Sequence, residues 1–251
     1  MKIIRNSVQP NYGNPEHDLV YVQKGFYKVS EAENLSNIQN LTRLFPHNAK
    51  TILDAGCGIG LYHKIWTDAG YLVTGTDISE TFLAEAKKRN PLANYLQSNS
   101  ADIKLSETFD VVTLIDPARK DGLVIRNLAK CAKRGALVFI EARNPNHPRS
   151  IEFDRQFKTW RCGENKYILS RREYNYAKQE MEWEEITIDT KTDTLSILDM
   201  SGHRLAALQC LTESMAAAGF TNIRFFDRST AEPMELTNDA IYKIWVCGER
   251  V

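Results

Sequence analysis

Apolar residues recur at three-residue spacing over residues 28–45, at Val29, Ala32, Leu35, Ile38, Leu41 and Leu44, which predicts an amphipathic helix. From Lys50 the pattern changes to short apolar runs separated by helical stretches. The runs are Thr51–Leu53, Leu72–Gly75, Ala93–Leu96, Phe109–Ile115 and Ala136–Glu141, with helices expected near 60–69, 79–88 and 121–133. Strands that alternate with helices imply a parallel sheet covered by helices on both faces. After Arg143 the helical spacing is lost. Tyr167–Ser170, Trp183–Ile188 and Leu195–Leu198 are rich in β-branched and aromatic residues and predict antiparallel strands. A helix over 204–218, with Gly219 just past its end, and strands at Asn222–Phe226 and Ala240–Cys247 complete the pattern.

These elements predict an α/β fold, a Rossmann-like seven-stranded, mostly parallel sheet with an antiparallel insertion. Residues 46–145 and 201–251 form the expected core. Residues 146–200 are the expected insertion, which would cap the core together with an N-terminal arm and helix over 1–45. Residues 1–16, with Pro10, Gly13 and Pro15, read as a loose arm.

Composition narrows the function. Lys and Arg number 32 and Asp and Glu number 32, so the chain lacks the basic excess that a large nucleic-acid footprint needs. No apolar run approaches the roughly 20 residues of a membrane span, and Met1–Asn6 has no apolar signal core. The five cysteines are scattered without a CxxC pair, which suits reduced thiols in the cytoplasm and no metal site.

The densest chemical signal is Asp54-Ala55-Gly56-Cys57-Gly58-Ile59-Gly60, between an expected strand and an expected helix. Glycine at 56 and 58 lets the backbone turn tightly and approach a ligand, and Gly60 allows helix to pack on strand. The next strand ends in Asp77, about 20 residues on, where a carboxylate can accept from both ribose hydroxyls of an adenosine. Asp102 and Ile103 follow the third strand, placed to contact an adenine edge. A phosphate-binding turn uses GxGxxG; the GxGxG here follows directly on Asp54.

That variant resembles motif I of class I S-adenosylmethionine-dependent methyltransferases. The resemblance extends through His17–Tyr21, Ser30-Glu31-Ala32, Gly75–Ser79 and Phe109–Thr113, in the order found in small-molecule members such as glycine N-methyltransferases and amino-sugar N,N-dimethyltransferases. It implies S-adenosyl-L-methionine as cofactor and a small-molecule acceptor. By the same resemblance Asp54, Gly56 and Gly58 line the methionine moiety, Asp77 the ribose, and Ile78, Asp102 and Ile103 the adenine, while Tyr21 closes over the sulfonium. The chain departs from the family at Lys28, where a tyrosine is usual, and in the short Ile115–Arg119 loop.

Candidates for work on the acceptor lie at strand ends: Tyr21, Asp116, Glu141, Arg143, His147, Tyr174 and His203. Tyr21 and His147 are the expected catalytic pair, and Asp116 is also expected at the cofactor. His63, inside a helix, reads as structural. Arginines and lysines over 149–178, followed by Glu180, Glu182, Glu184 and Glu185, fit either a hairpin that pairs its own charges or a cationic pocket edge for an anionic acceptor. Methylation of RNA or protein, or a non-catalytic cofactor-binding subunit, are the rival readings. Oligomeric state is unknown.

Overall fold

The computed structural model of the chain describes residues 2–7, 13, 15, 18–19, 22, 31–116, 122–144, 155–162, 164–175, 180–199, 203–204, 208–235 and 240–251. Its main sheet has eight strands. β2 (Thr51–Ala55), β3 (Leu72–Asp77), β4 (Asn94–Gln97), β5 (Phe109–Leu114) and β6 (Ala132–Arg143) run parallel, in the spatial order β4-β3-β2-β5-β6. β14 (Lys243–Arg250) joins β6 antiparallel, then β12 (Phe220–Asp227) joins β14, and the two-residue β13 (Pro233–Met234) closes that edge. The order reverses between β2 and β5, whose carboxyl ends therefore open a crevice, the usual ligand position in such sheets.

Both faces of this sheet are buried, and side-chain alternation divides them. Leu53, Val112, Val138 and Val246 pack against α4 (Gly122–Cys131) and α5 (Leu208–Ala217) through Val124, Leu128, Leu211 and Met215. Their neighbours Ile52, Val111, Phe139 and Trp245 point the other way, onto α1 (Glu31–Thr42) and α2 (His63–Asp68). α3 (Glu80–Arg89) starts at Ser79, whose hydroxyl accepts from the Phe82 N–H, and ends in Lys87, Lys88 and Arg89, which complement its dipole.

Three expectations change. The N-terminal helix, expected in the cap, buries Ile38 and Leu41 in the main core beside Trp66 and Trp245. Its apolar stripe has the width of a core-facing helix, and stripe width alone does not say which surface it covers. The arm is not loose throughout: Lys2–Ser7 forms β1, parallel to β10 (Thr194–Asp199). The sheet holds eight strands where seven were expected, β13 being the short addition.

The insertion forms a second sheet, in the order β1-β10-β9-β8-β7, with β11 (His203–Arg204) beside β9. β8 (Lys166–Asn175), β9 (Glu180–Asp189) and β10 match the three expected strands. β7 (Arg155–Cys162) was not foreseen, because Arg155, Gln156, Lys158 and Arg161 break its apolar alternation. In register, Arg155 lies opposite Glu173 and Arg171 opposite Glu184, while Lys166 pairs with Asp189 at 3.7 Å. These registers favour the charge-paired hairpin.

Asp110 staples the amino ends of β2 and β5. Its Oδ2 accepts from the Lys50 and Thr51 N–H groups and the Thr51 hydroxyl, each at 2.9 Å, and Lys133 reaches Oδ1 at 2.7 Å. Burial opposes ionisation of this carboxyl, but Lys133 and the three Lys50 and Thr51 donors outweigh it and hold the carboxyl well below the usual range. An acid with a lowered folded pKa contributes its full stability above the unfolded value of about 3.9 and loses it as pH falls through the folded one. Asp110→Ala should therefore cost about 2 kcal/mol at neutral pH, read by urea denaturation. The gap between variant and wild type should close in acid; a gap unchanged to pH 2 would remove the carboxylate from this account.

Candidate cofactor site

β2 ends at Ala55 and the chain turns through Gly56, Gly58 and Gly60, with φ of 69°, 54° and 63°. L side chains are strained in this left-handed region, so the sequence GxGxG is what lets the turn close. The Cys57 N–H donates to Thr76 O at 2.9 Å, tying the turn to β3. A Cβ at Gly58 would meet nothing within 4 Å, and one at Gly56 only the tip of Leu114 at 4.0 Å. The turn thus presents bare backbone to open space. Gly60 differs: its Cβ would lie 2.9 Å from that of Ala86 on α3.

Asp77 closes the other side. Its Oδ2 accepts from the Gly58 N–H and its Oδ1 from the Ser79 N–H, both at 2.9 Å. Each carboxylate oxygen keeps a further lone pair, enough for two hydroxyl donors. Burial pushes the Asp77 carboxyl up; the Ser79 and Gly58 amides pull it back, and the charges of Asp18 and Asp54 add to the rise. Asp18, buried and accepting from the Gly13 N–H at 2.9 Å, was not singled out in the sequence. Its only signal was its place in the His17–Tyr21 segment, where Tyr21 held the role.

The remaining expected residues separate. Ile78 is partly exposed beside Gly13, and Gln97 and Ser98 bond the Ile78 and Asp77 carbonyls, so the end of β4 borders Asp77. Asp102 is 70% exposed and pairs with Lys104 at 3.3 Å, whereas Ile103 packs into the main core. Asp116 follows β5 with φ of 47°, 80% exposed, 4.0 Å from Lys243. Tyr21 and His147 lie outside the described residues. Tyr174 and His203 fall in β8 and β11 of the second sheet.

Asp54 does not offer its carboxylate to the turn. Thr113 donates to Oδ1 at 2.7 Å and His63 Nε2 lies 3.1 Å from Oδ2, all in the interior. Glu141 is likewise committed, with Lys243 at 2.6 Å and Arg228 at 3.1 Å; Arg228 also donates to Asn34 of α1 and lies over the Trp245 ring. Burial and then Glu141 push the nearby Tyr62 phenol far up. Burial, with Asp54 and Asp77, also keeps the Cys57 thiol protonated, which removes it as a nucleophile.

A Rossmann-like sheet, a glycine turn open to a ligand and a carboxylate at the end of the next strand define a nucleoside-cofactor domain. The comparisons specify which. Residues 53–140 match a family model described as a methyltransferase domain. Similar proteins include a malonyl-[acyl-carrier protein] O-methyltransferase of Pectobacterium atrosepticum, 30% identical over 32% of each chain. Another is a dTDP-3-amino-3,4,6-trideoxy-alpha-D-glucopyranose N,N-dimethyltransferase of Streptomyces venezuelae, 27% identical over 50% of this chain and 54% of the other. The matched segments are thus about a third to a half of these relatives' lengths. Among solved structures, an S-adenosylmethionine-bound amino pentose methyltransferase of Micromonospora echinaspora superposes with a TM-score of 0.60 at 17% identity, over 93% of this chain and 96% of that one. At such identity the likeness establishes the fold. Residues 53–140 thus match a methyltransferase domain, set in a fold shared with S-adenosylmethionine-dependent methyltransferases.

The two kinds of glycine should separate on substitution. Gly60→Ala should destabilise the fold by about 2–4 kcal/mol, from overpacking and positive φ together. Gly58→Ala meets open space, so only the conformational cost of about 1–2 kcal/mol applies. Thermal melts of the two variants test this; equal losses would show that Gly58 also faces protein.

Proposed function

We propose that this protein is an enzyme that transfers a methyl group from S-adenosyl-L-methionine to a nitrogen or oxygen of a small-molecule acceptor. The observation that carries the reading is the acidic wall of the site. Asp77 has a spare lone pair on each oxygen, with Asp18 and Asp54 close enough to raise its pKa. A carboxylate that bonds the turn itself, with Asp18 nearby, disfavours a pyrophosphate and suits a phosphate-free cofactor that carries positive charge. The Gly58 backbone leaves room for it. When bound, the cofactor supplies an electrophilic methyl on sulfur: the acceptor lone pair forms the new bond as the carbon–sulfur bond breaks, and its electron pair stays on sulfur. The chain's own task is then placement and exclusion of water.

Acceptor choice falls to residues beyond the turn: Tyr21 and His147, Asp116 at the end of β5, and the second sheet. The names of the relatives, an amino sugar in one and a carrier-bound malonyl group in another, support N- or O-transfer to a metabolite. Among the described residues no helix is long and apolar enough to cross a membrane, and we place the enzyme in the cytoplasm.

Calorimetry should detect binding of S-adenosylmethionine and S-adenosylhomocysteine but not NAD. Asp77→Ala should weaken both by tenfold or more, since two charge-assisted bonds are lost. Because the Asp77 carboxyl titrates above the ordinary carboxylate range, affinity for the cationic cofactor should start to fall at a higher pH than about 3.9 as the solution is acidified. Tight NAD binding without S-adenosylhomocysteine binding would overturn the reading.

A further inference from the structure

His63 was read from the sequence as a structural residue of the helix after the glycine turn. It is fully buried, and its ring joins two elements of the main sheet. Nε2 lies 3.1 Å from Asp54 Oδ2 on β2, and Nδ1 lies 3.0 Å from the Tyr95 hydroxyl on β4. β3 runs between those strands, and its backbone passes under the ring at Gly75. A Cβ there would lie 2.5 Å from His63 Cε1 and 2.8 Å from Cys57 Sγ. Gly75 does not have positive φ, so its lack of a side chain serves space and not conformation. One Cβ at Gly60 would likewise come within 3.2 Å of His63 Nδ1. The imidazole therefore fills a slot bounded by the two strands and the underside of the glycine turn. Two residues past Gly75, on the same strand, stands Asp77.

We infer that His63 is a positioning residue for the cofactor site, acting through Asp54, Gly75 and the turn to set where the Gly58 N–H meets the Asp77 carboxylate. Asp54 already accepts from Thr113, and the tautomer that matches this acceptor role has Nε2 carrying the hydrogen and donating to Oδ2. Nδ1 is then the acceptor for the Tyr95 hydroxyl at 3.0 Å, in competition with the Asn90 carbonyl at 3.2 Å. Thr113 donates to the other oxygen of Asp54, and Asn90 donates to Thr67, whose hydroxyl in turn donates to the His63 carbonyl. The network runs from β5 to β4 beneath the turn and holds α2 against the sheet. Removing the ring takes the donor from Asp54 Oδ2 and empties the slot over Gly75. The inference rests on the cofactor reading above, and its test separates the two.

The experiment compares wild type with His63→Phe, which keeps a ring and loses both bonds, and His63→Gln, which restores a donor toward Asp54. Affinity for S-adenosylhomocysteine is measured by calorimetry well below each melting temperature. Alongside it, 15N NMR of the ligand-free protein reads the His63 tautomer and the Gly58 and Ser79 amides. The expected result is affinity at least tenfold weaker in His63→Phe, regained at least threefold in His63→Gln. The Nε2–H tautomer should appear in wild type, and the Gly58 amide should shift in His63→Phe. Should His63→Phe fail to fold, Tyr95→Phe carries the same test, with an expected loss of threefold or more. A residue that only fills the core would lower the melting temperature and leave affinity within twofold. That outcome, or an Nδ1–H tautomer, overturns the inference. Absence of binding by wild type would sink the cofactor reading, and the tautomer with the Gly58 shift would still decide the role of His63.

Discussion

A carboxyl group stays in the interior of a sheet only when its oxygens find partners on the spot, and Asp54 finds them from two directions. Thr113 reaches it from β5 and His63 from the helix that follows the glycine turn. The site hangs on this junction. β2 and β5 are the strands between which the sheet reverses order, so the bonds to Asp54 lie just below the crevice where a ligand sits. The carboxylate that motif resemblance places beside the methionine end of the cofactor is held from beneath the turn by these two bonds.

Charge at the other side of the turn has a different use. Asp77 is held by two amides and crowded by two other acids. Packing like charges together costs stability, and a fold that needed only a cap for α3 could have used Ser79 alone, which already fills that place. On the proposed cofactor reading, these acids disfavour a ligand whose adenosine carries phosphates. Selection among nucleosides is then exercised on the tail of the ligand as much as on its ribose.

Most of the core was legible because its signals are local. Short apolar runs mark β2, β5 and β6, and Ser79 and Gly219 mark a helix start and a helix end. GxGxG followed by Asp77 at the next strand end marks the site. What stayed hidden depends on contacts distant in sequence. Nothing in the spacing of Ile38 and Leu41 says that their helix covers the main sheet. The pairing of β1 with β10 spans most of the chain, and its register is set by a strand whose own pattern is mixed. His63 carries no motif and Asp18 only its place in the His17–Tyr21 segment; each gains its meaning when folding brings it to Asp54 or Asp77.

The fit of His63 over Gly75 also constrains how such a chain can change. A methyl group at 75 has nowhere to go while the imidazole is present, and a smaller residue at 63 leaves a buried carboxylate facing a void. Either change made first passes through a damaged protein, so drift at one position waits on the other. In kindred chains the two should come and go as a pair, and a lineage that lost the histidine would be free to build a larger side chain into its third strand.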